Sequence, residues 1–464
     1  MQGFRTGADI VDASHAIAEH ALGLRWNQIP DDARAAAATF LHDTLCVGIA
    51  GARAPHVAQL LAAVTGWSAG DRPGTCMLLG RTARLAPTDA AFVNAFQIHA
   101  QEYDCVHEPA VVHPLATIVA VLLAELDRGP PRSGAALLTA LIAGVDVAAG
   151  LGLAATTPLR FFRPATAGIF GSVAALASLR GMAYADARNA LGHALGFAAG
   201  TMQAHVEATP TLPLQIAQAA RSAIQAADLA AAGLPGPWEA IEGPFGYLSL
   251  FEAGFAIDRM RLGLGHRIGE VSWKPFPTGR AAHGGIVAVQ VLMRDHGVSQ
   301  SNLAALSYRA PPLIGRLVGR PAVADMTPAY ARLCFPWLAA VVLRGGTVTL
   351  DDFTDARRRD PKLLELARRV RLETDGNLDP AAFTPAVATA FLHDGSRWDT
   401  PITAQFGSPA RPLDRSQHLA KARACLAFAG LEMLHDPIVA AMAALPGQED
   451  ARVLFNAVLR PRTH

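Results

Sequence analysis

From about Ile10 to Leu262, apolar residues recur every three or four positions and Gly and Pro mark the breaks, which is the spacing of amphipathic helices. The clearest stretches, Asp31 to Ala50, Thr88 to His99, Pro114 to Leu126, Gly168 to Arg180 and Leu214 to Ala232, are predicted as helices. Strand-like alternation is scarce in this part. The texture changes near Glu270, where VSWKPFPTGR introduces two prolines. Beyond it, Leu303 to Ala310 and Ala339 to Thr349 read as strands, alternating with helical pieces at His283 to Asp295 and Pro361 to Val370. From Asp414 to Leu454 helical periodicity returns. The pattern predicts a mainly α protein with an α+β second domain. Residues 1–268 form the first part of a helical domain, 269–407 an inserted α+β domain, and 408–464 the C-terminal return of the helical domain.

A chain of 464 residues exceeds the size at which one hydrophobic core stops growing, which independently favours two domains. The 40 basic and 39 acidic residues nearly cancel, so neither nucleic acid nor an anionic membrane is expected as a partner. The most membrane-like stretch, Gly134 to Ala155, is interrupted by Asp146 and rich in small residues, and is predicted as a buried helix. The N-terminal MQGFRTGADIVDASHAIAEHA lacks the apolar centre of a secretion signal and carries acids early. Cys46, Cys76, Cys105, Cys334 and Cys425 are odd in number and scattered without a CxxC pair, so no disulfide framework or zinc ribbon is indicated. A cytoplasmic location is expected.

The densest polar cluster lies in HAQEYDCVHEPAVVHP, where His99, Glu102, Asp104, His107, Glu108 and His113 fall between two apolar helices. Ionisable groups held there must pair or act chemically; the alternative is a solvated loop. His99, His107 and His113 are spaced eight and six apart, matching no helical metal pair, and no metal is expected. In WKPFPTGRAAHGG, Lys274, Arg280 and His283 surround a proline-stiffened turn. Arg280 can grip a carboxylate with two hydrogen bonds, whereas Lys274 is a point charge whose pKa moves on burial. The bland reading keeps Lys274 as a surface residue beside Trp273. A third segment, RFFRPATAGIFGS, sets Arg160 and Arg163 before a helix start that favours anions, or simply caps it. Arg221, on a helix, reads as structural.

In order, these segments resemble the MmgE/PrpD family over nearly the whole chain. LHDTLCVGIAG is similar to the family's early aspartate-containing helix, and AAFVNAFQIHAQEYDCVHEPAVVHP to its Asn, His, Asp-Phe-Asp-Asp and His-Pro-Ser signature. FRPATAGIFGSVAALASLRGM resembles a His-Pro-x-x-Thr-x-Gly segment, and WKPFPTGRAAHG a Lys-Pro-Tyr-Pro-x-Cys-Arg-x-x-His segment. Each motif is weak alone; four in order are specific. The resemblance implies a large all-helical domain built from both chain ends and a smaller inserted α+β lid. It also implies a homodimer, a cleft site and no cofactor.

The carry-over is incomplete. Glu102 replaces an aspartate, Cys105 an acid, Leu115 a serine, Arg163 a histidine, Leu212 a lysine, Gln215 a histidine and Trp337 a tyrosine. The resemblance implies a lyase acting on a small di- or tricarboxylic acid of the methylcitrate or cis-aconitate type, with dehydration ahead of decarboxylation. The alternatives are an epimerase of an iminodisuccinate-like dicarboxylate and an inactive carboxylate binder. Dehydration, decarboxylation and epimerisation all require cations and a tuned acid or base. His113 is expected to transfer the proton, assisted by Glu102 or Asp104, with Lys274 also in the catalytic set. Arg163, Lys274, Arg280, His107 and His283 are expected to bind the substrate carboxylates in a cationic hollow.

Overall fold

The computed structural model describes residues 12–67, 74–262 and 266–458. The first residues of the chain, on which the reading against a secretion signal partly rests, lie outside them. The longer helices are α1 (Ala13–Gly23), α2 (Asp31–Gly51), α3 (Val57–Trp67), α4 (Pro87–His99), α5 (Pro114–Arg128), α6 (Gly134–Ala154), α7 (Gly168–Arg180), α8 (Tyr184–Phe197) and α9 (Thr211–Ala231). Their ends follow local chemistry. Helix α2 carries Asp31 and Asp32 in its first turn, α5 has Pro114 at its start and Arg128 in its last turn, and the Ser133 hydroxyl caps α6 by accepting from the Ala136 amide. The predicted helices in this part are present. One element was not foreseen: a small antiparallel pair, β1 (Cys76–Met77) and β2 (Arg84–Leu85), too short to show a period.

Helix α6 is the one helix among the described residues long and apolar enough to cross a membrane. It is instead enclosed by protein, and its single acid, Asp146, is satisfied there by His20 at 2.9 Å and by the Arg267 amide at 2.7 Å. Close packing depends on glycine. A Cβ on Gly144 would stand 2.7 Å from the Gly171 carbonyl of α7, and one on Gly171 would stand 2.6 Å from the Gly144 carbonyl. The two backbones touch where neither has a side chain, which lets α6 and α7 pack closely.

After Trp273 the chain builds a second core. It contains α10 (His283–His296), β3 (Leu303–Ala310), α11 (Phe335–Gly345), β4 (Val370–Thr374), β5 (Ala386–Leu392) and β6 (Arg397–Ile402). The sheet order is β4-β3-β5-β6. β3 runs parallel to β4, with Leu306 opposite Val370, and antiparallel to β5, with Leu306 opposite Ala390. Helix α10 covers β5 and β6. From residue 413 onward, α12 (Arg415–Ala429) and α13 (His435–Ala444) pack back into the first core.

Two expectations in this region are corrected. Ala339 to Thr349 is not a strand: Ala339 to Gly345 is most of α11, which has Pro336 in its first turn and stops at Gly346 with φ +81°, and the last four residues lie beyond the helix. The β-branched residues there sit in a helix buried on nearly every side, which erases the periodicity that separates helix from strand. Pro361 to Val370 is helical only to Ala367, and Val370 already opens β4.

The α6–α7 contact makes a clear prediction. Gly171→Ala should lower stability by about 1–3 kcal/mol through overpacking, despite the roughly 1 kcal/mol of helix propensity that alanine gains over glycine. A denaturation midpoint equal to or above wild type would contradict it.

Candidate active site

The site begins where α4 ends. His99 occupies the last turn, and the chain then reverses through Glu102, whose backbone lies in the left-handed region at φ +51°. Val106 and Ser272 exchange both backbone hydrogen bonds, at 3.0 and 2.7 Å, which lays the segment before Lys274 beside Asp104. His107 and Val112 pair in the same way, pinching off a short excursion that delivers His113 to the start of α5. Three chain segments thus converge on one carboxylate.

That carboxylate is Asp104, fully buried. His99 Nδ1 lies 3.0 and 3.1 Å from its two oxygens, and His113 Nδ1 lies 3.0 Å from Oδ2. The rings stand edge to face with centroids 4.9 Å apart. With Nδ1 of each ring engaged, Nε2 is left over: that of His99 is buried without a hydrogen bond, with Glu102 Oε1 3.7 Å away. Lys274 Nζ donates to Glu102 Oε2 at 2.7 Å and sits 3.9 Å from Asp104 Oδ1.

Charge separates the two imidazoles. Burial opposes ionisation of Asp104, but His99 and His113 overcome it and hold the carboxyl well below its usual range. For Glu102 burial is likewise overcome, chiefly by Lys274, and its pKa falls to about 2. At His99, burial is outweighed by Asp104 and Glu102 and the pKa is raised; at His113, burial wins, helped by Lys274, and the pKa is lowered. Neighbouring rings on one carboxylate are thus shifted in opposite directions, the pattern by which one environment can separate an acid from a base.

His99, Glu102 and His113 open onto a cavity of about 60 Å³, roofed by Arg280 and by Leu317, Leu333 and Phe383 of the second core. The walls are mostly apolar. His205 also faces the cavity, with Nε2 unpartnered and its pKa lowered to about 4 by burial and Arg320.

Several expected roles change. Lys274 converges with His113 but is wholly buried behind Glu102 and does not line the cavity. Arg163 is spent on Glu252, with two hydrogen bonds of 2.7 and 2.8 Å, and it too stays off the cavity wall. His107 accepts from the Ala110 amide and pairs with Glu270 at 2.8 Å, so it fastens the loop rather than facing substrate. His283 lies behind Arg280, its Nδ1 3.1 Å from Nη1; burial and Arg280 keep its pKa well below the imidazole norm. Arg280 does reach the cavity, although Nε donates to Glu108 at 2.9 Å and Nη1 to two backbone carbonyls. Its Nη2 lies 2.8 Å from the same Glu108 oxygen without forming a hydrogen bond. The expected cationic hollow is thus corrected: Lys274, Arg280 and Arg163 are each matched by a glutamate, because charges this deeply buried persist only when paired.

His99, Asp104 and His113 offer donor atoms within 4.8 Å of one another, the geometry of a metal site. Lys274 already places a cation 3.9 Å from that carboxylate, and both Nδ1 atoms are engaged with it. The donor set fits protons better than a second cation. Of the groups that matter, the sequence assigned no role to His99 and passed over His205. A single histidine in TMQAHVEAT, on one turn of helix, carries no pattern that would mark it. The five cysteines are buried and free; burial raises the thiol pKa of Cys105, beside Asp104, well above its usual value.

Comparison with known proteins adds to this geometry. Models of the MmgE/PrpD N-terminal domain and the MmgE/PrpD C-terminal domain match residues 15–260 and 276–433. The chain is 30% identical over 367 residues to human cis-aconitate decarboxylase, covering 74% of this chain and 73% of that protein. It is 28% identical over 398 residues to the mouse cis-aconitate decarboxylase, covering 82% and 80%. The cis-aconitate decarboxylase-like protein oryM of Aspergillus oryzae is 26% identical over 355 residues, covering 71% and 73%.

The ion pairing of Arg163 separates support from substrate binding. Arg163→Met should strand the buried Glu252 and cost about 3–5 kcal/mol of stability, while ligand affinity of the folded fraction stays within about threefold of wild type, under 1 kcal/mol. A stable variant with sharply weakened ligand binding would return Arg163 to the clamp.

Proposed function

The chain belongs to the MmgE/PrpD family, and we propose that it is a lyase on a small unsaturated carboxylic acid of the cis-aconitate class, working by proton transfer from the His99–Asp104–His113 cluster. One observation carries this reading: two imidazoles share one buried carboxylate, face one cavity, and have their pKa values shifted in opposite directions.

Decarboxylation is the leading reaction. The relatives described above are named for it, and the apolar walls suit a step in which a charged carboxylate becomes neutral carbon dioxide. The carbon–carbon bond to the departing carboxylate breaks, and its electron pair moves through the adjacent double bond toward a remaining carboxylate near Arg280. A proton from the His99 imidazolium then forms the new carbon–hydrogen bond. Asp104 stabilises that imidazolium before the transfer, and solvent restores the proton afterwards.

Dehydration is the second reading, favoured by the opposite pKa shifts of the neighbouring His113 and His99. One would take a proton from carbon while the other protonates the leaving hydroxyl. Epimerisation is disfavoured on geometry, since it needs acid and base on opposite faces of one carbon and these rings hang from the same carboxylate 4.9 Å apart. Lys274 becomes a positioning charge: it keeps Glu102 ionised and lowers the pKa of both rings. A small acid as partner, a homodimer, a cytoplasmic setting and operation without a cofactor remain part of the proposal.

The pH dependence of kcat tests the reading and divides the two reactions. Decarboxylation needs protonated His99, whose pKa is raised, so the rate should hold at low pH and fall only as pH rises above the ordinary imidazole value. Dehydration also needs neutral His113, whose pKa is lowered, so a second fall should appear on the acid side and give a bell. His99→Asn should lower kcat by about 10²–10⁴-fold and remove the alkaline limb. A wild-type rate flat across about pH 5–9 would remove the imidazoles from the mechanism.

A further inference from the structure

Resting on the acid–base reading above, we infer that this cavity selects an acid in which an alkyl substituent takes the place of a third carboxylate, leaving no more than two carboxylates, one of them anchored at Arg280. The charges are already balanced before substrate arrives. Lys274 faces Glu102, Arg280 faces Glu108 and Arg163 faces Glu252. Among the described residues lining the cavity, Arg280 is the sole lysine or arginine, and its Nη2 is a buried donor without a hydrogen bond. That supplies one carboxylate anchor.

A second carboxylate can be accommodated if it is the one lost, because the reaction discharges it. A third would meet no further lysine or arginine among the described residues of the cavity wall. It would lie against Met202, Leu212, Leu317 or Phe383, where an ionised group bears its full desolvation penalty and an alkyl group gains by leaving water. His205 does not change this balance: burial and Arg320 keep it neutral, so its free Nε2 can hydrogen-bond a substrate oxygen but cannot offset a negative charge.

The comparison that isolates this feature uses cis-aconitate and 3-propylglutaconate, which share a carbon skeleton and double bond but carry a carboxylate or a propyl group at the same carbon. Binding to the wild-type protein is measured by calorimetry at pH 7, and turnover by release of carbon dioxide. The alkyl acid is expected to bind at least tenfold more tightly. Leu212→Lys, which adds a cation to the apolar wall, is expected to shrink or reverse that ratio; a ratio unchanged by the substitution would overturn the role of the wall. Equal or tighter binding of cis-aconitate to wild type would overturn the inference while leaving the lyase reading intact. Preferential binding of the alkyl acid with no turnover of either would sustain the inference and sink the decarboxylase reading. Failure of both acids to bind would overturn both.

Discussion

The arrangement of this protein's interior turns on one buried carboxylate. Asp104 has no access to water, so its charge survives only because His99, His113 and, at longer range, Lys274 surround it. These partners come from three parts of the chain: the end of α4, the start of α5 and the segment that leads into the second core. Satisfying one aspartate therefore fixes the relative position of the two units. The same constraint sets the chemistry, because a carboxylate shared by two rings cannot favour both equally once Lys274 and Glu102 break the symmetry. Glu102 lies 3.7 Å from His99 and helps raise its pKa, whereas burial lowers that of His113.

Surrounding pairs extend this logic. Lys274 with Glu102, Arg280 with Glu108 and Arg163 with Glu252 each neutralise a charge that the low-dielectric interior would otherwise penalise. The result is a buried cluster in which each of these three cations is matched by an acid. Such a cluster holds protons at defined atoms and does not attract every polyanion that reaches it, which separates the ability to catalyse from the ability to concentrate substrate.

How much of this could be read in the chain depends on the range of the interaction. The helices α2, α4, α5 and α7 were legible because capping residues and apolar spacing act within a few positions of each other. The interval from His99 to His113 was legible as a chemical cluster because so many ionisable residues fall together. The pairing of Arg163 with Glu252 was not, since the partners are 89 positions apart and nothing local links them. Nor could spacing separate His107 from His113: both are histidines of one loop, yet one turns toward Glu270 and the other toward the cavity. The strand expected at Ala339 to Thr349 failed for a related reason, because a helix enclosed on nearly all sides has no polar face to betray its period.

The cavity's size carries the argument one step further. At about 60 Å³ it is well below the roughly 150 Å³ that accommodates benzene in an engineered cavity, so a branched acid enters only if the walls part. The segment bearing Lys274 and Arg280 is held to the helical unit by the Val106–Ser272 pairing and two buried ion pairs. The opposite walls are held more lightly, by side chain to carbonyl bonds: Arg316 to Leu159 at 3.2 Å and Arg320 to His205 at 2.9 Å. Breaking such bonds costs far less than stranding a buried charge, because the freed arginines and carbonyls can be met by water. The Asp104 cluster takes no part in those bonds, so its geometry does not depend on them.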